Sequence, residues 1–412
     1  MTKKSGFKKI EKNNQIAKQR DSGLESLLNS EHTVQIEKMA VGGDGVARIQ
    51  LQQKSLVVFV AKSAPKDIVK IKITAIEKNF LTAKIVEIVT PGETRRIPPC
   101  TYANTCGGCR WQQISDDEQL TQKENILKEL FAKFVPNAGY QLQKTVKSPL
   151  PFHYRNRIQL KSQRNQLGYF KEKSHEIVDI EACLIADKRI SDEISKLKAQ
   201  LKFSDDVTKY ELKINQSNNF EYSRIGEKGQ GLSFSQVNSA VNLLLSQQIV
   251  QLAEKIKPLR ILELFAGSGN FTFALSSALS SQSASAQIDA VEMNSELTQA
   301  ATKVIATCGL QKKITFFTTD CDSFVSRRSF TSDLILVDPP RSGCSDLVLE
   351  KIVQSSCSNI LYISCHPVSL VRDLQKLDLQ KNGFSIAWMQ IFDMFPQTDH
   401  FETLIWLSKN QT

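Results

Sequence analysis

Four short stretches carry the residue types that do covalent or ligand chemistry. Three cysteines, Cys100, Cys106 and Cys109, fall within ten residues, and 73 residues separate Cys109 from a fourth, Cys183. Thiolates grouped in this way suit a tetrahedral zinc site or an iron–sulfur cluster; the plainer reading is unligated core thiols. The second stretch is Glu263-Leu264-Phe265-Ala266-Gly267-Ser268-Gly269-Asn270-Phe271, between a predicted strand and a predicted helix. Glycines there let a backbone pass close to a ligand. The next strand ends at Glu292, 25 residues after Gly267, where an acid can bind ribose hydroxyls. The third glycine of a dinucleotide G-x-G-x-x-G is missing, because Thr272 follows Phe271, and any βα junction can carry a glycine turn. The third stretch, Val337-Asp338-Pro339-Pro340-Arg341, sets a carboxylate at a strand end, facing the crevice where open α/β sheets bind ligands. The fourth, Ile360-Leu361-Tyr362-Ile363-Ser364-Cys365-His366-Pro367, sets a cysteine at the carboxyl end of a strand. Taken alone, Cys365 is as well read as an inert buried thiol.

These residues need a scaffold, and 412 residues with 41% hydrophobic and 23% charged content are enough for two or three ordinary globular domains. Residues 31–92 alternate short Val- and Ile-rich runs with turns, around Gly42, Gly43 and Gly45. That is the pattern of a small antiparallel barrel of about five strands. Residues 93–235 open with the cysteines, and Ser115-Asp116-Asp117-Glu118 predicts a capping box for a helix to about Phe134. Strand-like segments follow around Arg155–Ser162, Gln166–Glu172 and Lys209–Gln216, so an α+β region is expected. Residues 236–412 alternate strands and helices, which argues for a parallel, doubly wound α/β sheet. The Ser/Ala-rich run 276–286 reads as a helix tail and a loop.

Charge points to the partner. Lys and Arg number 53 against 43 Asp and Glu, a net charge of +10, which favours a polyanion such as RNA. A merely basic enzyme fits equally on this ground. The first 20 residues carry seven basic side chains and one acid, Glu11, and residues 1–30 are expected to be a disordered basic arm. No apolar stretch follows the first charges, and no run of 18 apolar residues occurs. A cytoplasmic protein away from membranes is the expectation, and nine cysteines, an odd number, do not suggest a disulfide framework.

Three further stretches complete a resemblance. The glycine turn, with Glu292 and then Asp320 at successive strand ends, resembles the class I S-adenosylmethionine-dependent methyltransferase fold. With Phe234-Ser235-Gln236-Val237-Asn238, the Cys365 strand and Asp393-Met394-Phe395-Pro396-Gln397-Thr398-Asp399-His400-Phe401-Glu402-Thr403, the chain closely resembles the RNA uracil-C5-methyltransferase family. Gly42-Gly43-Asp44-Gly45-Val46-Ala47-Arg48 is similar to the signature turn of the TRAM domain, a small OB-like RNA-binding barrel. The resemblance spans nearly the whole chain. It implies Cys365 as the nucleophile that adds to carbon 6 of uracil and Glu402 as the base that later removes the carbon 5 proton. It implies Gln236, Phe265, Asn270, Glu292, Asp320 and Asp338 as the lining of a pocket for S-adenosyl-L-methionine and the base. Glu292 would hold the ribose and Asp320 the adenine side. The cysteine segment is similar to that of the cluster-binding members, implying a 4Fe-4S cluster on Cys100, Cys106, Cys109 and Cys183, with zinc as the alternative.

The chain departs from the family at two points. Leu184 follows Cys183 where the family usually has proline, and His366 follows Cys365 where asparagine is common. A TRAM barrel with a cluster implies 23S rRNA as substrate, with tRNA as the alternative, and a monomer is expected. A buried base must be flipped out, and an aromatic such as Phe234 can stack on it. Tyr154-Arg155-Asn156-Arg157, on a predicted strand, suits contacts to RNA or simply a solvated strand face. Cys308, Cys321, Cys344 and Cys357 have no motif and are expected to be structural. Two other classes remain: an amino-methylating enzyme working through Asp338-Pro339-Pro340 alone, and a non-catalytic RNA-binding module.

Overall fold

The computed structural model describes residues 25–51, 54–215, 217–226, 236–279 and 286–409. Residues 1–24 of the expected basic arm, Phe234 and Ser235, and residues 280–285 of the Ser/Ala-rich run lie outside them. The chain divides into two units. The first runs to Asn104 and adds Gly108–Gln122 and Gln397–Asp399; the second holds Thr105–Gly107, Lys123–Pro396 and the chain from His400.

In the first unit the strands are β1 (Glu31–Gln35), β2 (Lys38–Met39), β3 (Gly45–Leu51), β4 (Lys54–Val60), β5 (Ile68–Ile76) and β6 (Phe80–Thr90). They form one sheet in the order β1-β5-β6-β4-β3-β2. Alternation works as the sequence predicts: Val69, Ile71 and Ile73 of β5 are fully buried with Val34, Val58 and Leu81, while Lys70 and Lys72 point away. Among the described residues there are six strands, not about five, and they are not all antiparallel. The β4–β6 pair is parallel. The loop after β4 carries the chain past its neighbour position, and β6, entering the vacant slot by a hairpin from β5, must run parallel to β4. Buried Asp67 pins that loop, accepting from the Ala64 and Gly92 N–H groups at 2.6 and 2.9 Å and from Arg95 Nε at 3.0 Å.

The Gly42–Arg48 turn is engaged within this unit. Trp111 donates its indole N–H to the Gly43 carbonyl at 3.0 Å, Arg110 pairs with Asp44 at 2.6 Å, and the Gly42 N–H donates to Asp399. At Gly43 (φ +83°) a Cβ would meet Asp399 and Arg110 at 3.1 and 3.2 Å, so glycine answers both the backbone angle and the crowding.

The chain passes into the second unit along α1 (Asp116–Phe134). Its first turn holds three acids, as the helix dipole favours, but the expected reciprocal capping box is not formed. The Ser115 N–H donates to the Thr94 carbonyl, a tertiary partner, and Glu118 accepts from Gln122 one turn along the same helix. An antiparallel sheet follows, from β7 (Arg157–Gln163), β8 (Gln166–Phe170), β9 (Ile177–Asp179), β10 (Thr208–Ile214) and β11 (Phe220–Arg224), in the order β11-β10-β7-β8-β9. Helix α2 (Lys188–Gln200) is capped by Asp187 and buries Ile190, Ile194 and Leu197 along one face.

The remainder is the alternating region. Its helices are α3 (Ser239–Ile256), α4 (Asn270–Ala278), α5 (Ser295–Thr307), α6 (Cys321–Arg327), α7 (Asp346–Gln354) and α8 (Pro367–Leu377). Its strands are β12 (Arg260–Leu264), β13 (Gln287–Glu292), β14 (Ile314–Thr318), β15 (Leu334–Val337), β16 (Asn359–Ser364), β17 (Phe384–Phe392) and β18 (Glu402–Lys409). The sheet order is β14-β13-β12-β15-β16-β18-β17. The first five strands are parallel, as the alternation predicts, but β18 inserts antiparallel between β16 and β17. No helix separates β17 from β18, so they can only pair as a hairpin. This Rossmann-like sheet buries Ile261, Ile288, Leu334, Leu361 and Leu404 against Val241, Leu245 and Leu275 of α3 and α4. Among the described residues no helix is long and apolar enough to cross a membrane.

Candidate active site

The order of the parallel strands reverses between β12 and β15, and strand ends part at such a switch point. A cavity of about 800 Å³ lies in the second unit beside these ends. Gln236, Phe265, Glu292, Asp320, Asp338, Cys365 and Glu402 all line it. Asn270 does not. It starts α4, is exposed, and exchanges side-chain amide bonds with Asn242 at 2.9 Å.

Local chemistry explains each placement. The β12–α4 turn needs unusual backbone angles, and Gly269 takes φ +91° where a Cβ would lie 2.6 Å from the Phe273 ring. Phe265 also sits at φ +62°, a region a bulky residue rarely adopts. Glu292 ends β13 and accepts from the Gly267 N–H at 3.0 Å and the Asn294 N–H at 2.7 Å. One carboxylate oxygen goes to each, leaving a lone pair on each for a hydroxyl donor. Asp320 caps α6, accepting from the Ser323 N–H at 2.8 Å, and that bond holds its carboxyl below the usual range.

The reactive groups are electrostatically coupled. Burial pushes Asp338 up to about 7. Glu402, 3% exposed, is pushed well above the usual carboxyl range by burial and then by Asp338. Its Oε2 is buried without a hydrogen-bond partner among the described residues. Cys365 is pushed up to about 12, first by burial, then by Glu402 and Asp338, with Arg341 opposing. The surroundings therefore keep Cys365 a thiol, and its proton must leave as its sulfur forms a bond. The two carboxyls repel each other's charge, which opposes ionising both at once.

Several lining residues carried no catalytic or cofactor role in the sequence. Arg341, the counterion to this group, directly follows Asp338-Pro339-Pro340, and that adjacency was the available signal. Phe395 and Arg157 also line the cavity. So does Cys321, expected to be structural: as the first residue of α6 it faces the ligand space, and burial pushes its thiol up to about 12. Cys344 and Cys357 are buried and Cys308 is exposed. His366 caps α8, its Nδ1 lying 3.0 Å from Ser369 Oγ.

Two expectations meet the structure differently. Of Tyr154–Arg157 only Arg157 is on a strand, and it pairs with Glu211 at 3.3 Å. Tyr154 is buried, donates to the Pro396 carbonyl at 3.0 Å, and cannot stack on RNA. Among the described residues no three His, Cys, Asp or Glu side chains are disposed to hold a metal ion. Cys100 and Cys109 belong to the first unit, where the Cys100 N–H donates to Gln112 and the Cys109 carbonyl accepts from Lys62. Cys106 and Cys183 belong to the second, and Cys183 Sγ lies 3.7 Å from the Tyr169 hydroxyl.

Comparison with known proteins adds lineage to this geometry. Residues 196–410 match the family model for tRNA (uracil-5-)-methyltransferase, and residues 25–86 match the TRAM domain. An uncharacterized RNA methyltransferase of Bdellovibrio bacteriovorus is 37% identical over 92% of this chain and 95% of its own length. The 23S rRNA (uracil(1939)-C(5))-methyltransferase RlmD of Shewanella piezotolerans is 26% identical over 92% of this chain and 95% of its own. The crystal structure of Pyrococcus abyssi tRNA (uracil-54, C5)-methyltransferase with S-adenosyl-L-homocysteine superposes with a TM-score of 0.69 at 20% identity. It covers 91% of this chain and 100% of that one.

Proposed function

This chain belongs to the tRNA (uracil-5-)-methyltransferase family, and from that premise we propose that it methylates carbon 5 of one uridine in 23S rRNA through Cys365 and Glu402. One observation carries the reading: a single cavity is lined both by Cys365, Glu402 and Asp338 and by the glycine turn with Glu292. S-adenosyl-L-methionine, when bound, supplies an electrophilic methyl group. Everything else falls to this chain. Carbon 5 of uracil is a poor nucleophile, so Cys365 Sγ first bonds to carbon 6 and pushes an electron pair to carbon 5 and the carbonyl. The thiol proton passes to the ionised member of the Asp338–Glu402 pair, and Glu402 then releases a proton to solvent so that it is ionised for the last step. Once carbon 5 is methylated, ionised Glu402 removes its proton, the returning electrons break the S–C6 bond, and the thiolate leaves. Arg341 offsets the negative charge that develops.

Glu292 suits the ribose hydroxyls, having open lone pairs, and Phe265 and Asp320 suit the rest of the cofactor. Asn270 is better placed to hold α3 against α4 through Asn242. The choice of 23S rRNA over tRNA follows the pairing of a TRAM barrel with the cysteine set and the Shewanella relative. The resemblance of the cysteine segment is the ground for proposing a 4Fe-4S cluster on Cys100, Cys106, Cys109 and Cys183, with zinc as the alternative, although no three such side chains are gathered for a metal among the described residues. The cluster has no part in the reaction steps. Anaerobically purified protein should be brown, with iron and sulfide in equal amounts; a colourless protein with stoichiometric zinc overturns the cluster.

The test of the function is nucleoside mass spectrometry after incubating unmodified 23S rRNA, or unmodified tRNA, with the protein and methyl-labelled S-adenosyl-L-methionine. Label in 5-methyluridine from 23S rRNA is expected. Label from tRNA alone changes the substrate. Label in a methylated adenine or guanine moves the chemistry to Asp338-Pro339-Pro340 and removes Cys365 from it.

A further inference from the structure

The connection between β17 and β18 carries no helix, yet its start is held from three directions. The carbonyls of Met394, Phe395 and Pro396 each accept from a side chain of a different segment: Asn238 Nδ2 at 3.3 Å, Lys123 Nζ at 3.2 Å and the Tyr154 hydroxyl at 3.0 Å. Asp393, one residue earlier, donates its N–H to the Val146 carbonyl at 2.9 Å and takes Lys123 Nζ at 2.6 Å. Lys123 is 0% exposed. Burying an ammonium is costly, and an apolar side chain of similar volume fills space as well or better. What the lysine adds is geometry: one cation ties a carboxylate to a carbonyl two residues on.

The residue so held is Phe395. Its side chain lines the same cavity as Cys365 and Glu402. The Arg155 guanidinium lies 5.7 Å from its ring centroid, within cation–π range, the His400 ring meets it in a T-shaped contact at 6.2 Å, and the side chain still lines the cavity. Among the described residues only Phe265 and Phe395 are aromatic linings of this cavity, and Phe265 belongs to the glycine turn. The reaction makes a demand that an aromatic wall can meet. Sulfur must approach carbon 6 perpendicular to the uracil plane, so that plane must be fixed before the bond forms. An offset contact over the ring away from carbons 5 and 6 fixes it and leaves both carbons open.

We propose that Phe395 is the stacking platform that sets the plane of the target base, and that Lys123 is its positioning residue. The inference rests on the uridine chemistry proposed above. Its test uses the full chain and whichever RNA takes the methyl label. F395L should lower kcat/KM for that RNA about 5- to 150-fold, the range of one base–aromatic stack, with S-adenosyl-L-methionine affinity unchanged. F395W should restore turnover, and its added emission should be quenched by RNA carrying the target uridine but not by RNA abasic at that position. K123M should raise KM for RNA, and F395L/K123M should be no worse than F395L, because both act through one contact. Retained cofactor affinity shows that each variant is folded; should K123M lose it, F395L and F395W decide alone. Unchanged kcat/KM in F395L overturns the inference, as does equal quenching by abasic RNA or a matching loss of cofactor affinity. A wild-type protein that methylates no uridine overturns the parent reading as well, so the two failures differ in the wild-type lane.

Discussion

Cys365 sits in surroundings that oppose its ionisation, and this shapes what single substitutions should show. Burial, Glu402 and Asp338 all push the thiol up, to about 12, so no standing thiolate waits for substrate. Nucleophilicity has to appear together with the substrate, when the proton can pass to a carboxylate. Cys365→Ala should therefore abolish turnover while RNA binding, measured by filter retention, stays within about twofold; an active Ala variant refutes covalent catalysis. Glu402→Gln keeps the shape and removes the base. Sulfur can still add and the methyl can still transfer, but the carbon 5 proton stays, so the RNA should remain attached. A denaturing gel should show a slow-migrating RNA–protein band, and its absence with folded protein counts against Glu402 as the base.

At the scale of elements, the junction of β12 with α4 stores its own electrostatic cost. Glu263 in β12 is 2% exposed and accepts from the Thr272 hydroxyl of α4 at 2.5 Å. Burial raises it from 4.5 to about 8, with Asp338 adding to the rise. A carboxyl raised on folding is protonated in the native state while the unfolded chain has released its proton. Its stabilisation is complete below about 4.5 and is lost as pH rises toward 8, at up to about 1.4 kcal/mol per pH unit. Glu263→Gln preserves an acceptor for Thr272 and removes this titration. Denaturant melts between pH 5 and 8 should show a shallower fall for the variant than for the wild type. Equal slopes would mean that Glu263 is not protonated in the native protein. Asp338 and Glu402 are raised too, so some slope should survive.

On the scale of the whole molecule, charge and domain composition act together. A net charge of +10 gives long-range attraction for a polyanion, and a TRAM domain joined to a methyltransferase domain gives the chain more surface than its cavity alone. Binding to RNA should weaken steeply with salt, since each phosphate neutralised contributes about 0.7 to 0.9 to the log–log slope. Titrations from about 50 to 200 mM salt should show a loss of tenfold or more for both wild type and Cys365→Ala. A flat response would assign recognition to the cavity and not to backbone contacts.

Motifs whose meaning lies in local backbone geometry could be read directly from the residues. The glycine turn between a strand and a helix, the Asp338-Pro339-Pro340 turn and the strand ending at Cys365 are each set by neighbours a few positions away. So were the Val- and Ile-rich alternation of the first sheet and the βα alternation of the last. Other features depend on residues distant in the chain. The parallel β4–β6 pair and the insertion of β18 beside β16 are decisions of topology, made when a strand finds an open sheet edge. Ser115 and Glu118 spelled a capping box, yet the distant Thr94 carbonyl took the Ser115 N–H. Tyr154 looked available to RNA until Pro396, 242 residues on, claimed its hydroxyl. Cys321 acquired a cavity wall, and Phe395 acquired Lys123 and Arg155. Pairing of groups hundreds of residues apart costs chain entropy that only a packed core can offset, so no pattern along the chain announces which pairs will form. The pKa values of Asp338, Cys365 and Glu402 belong to the same class, because burial and mutual repulsion exist only once the strands have brought those three side chains around one cavity.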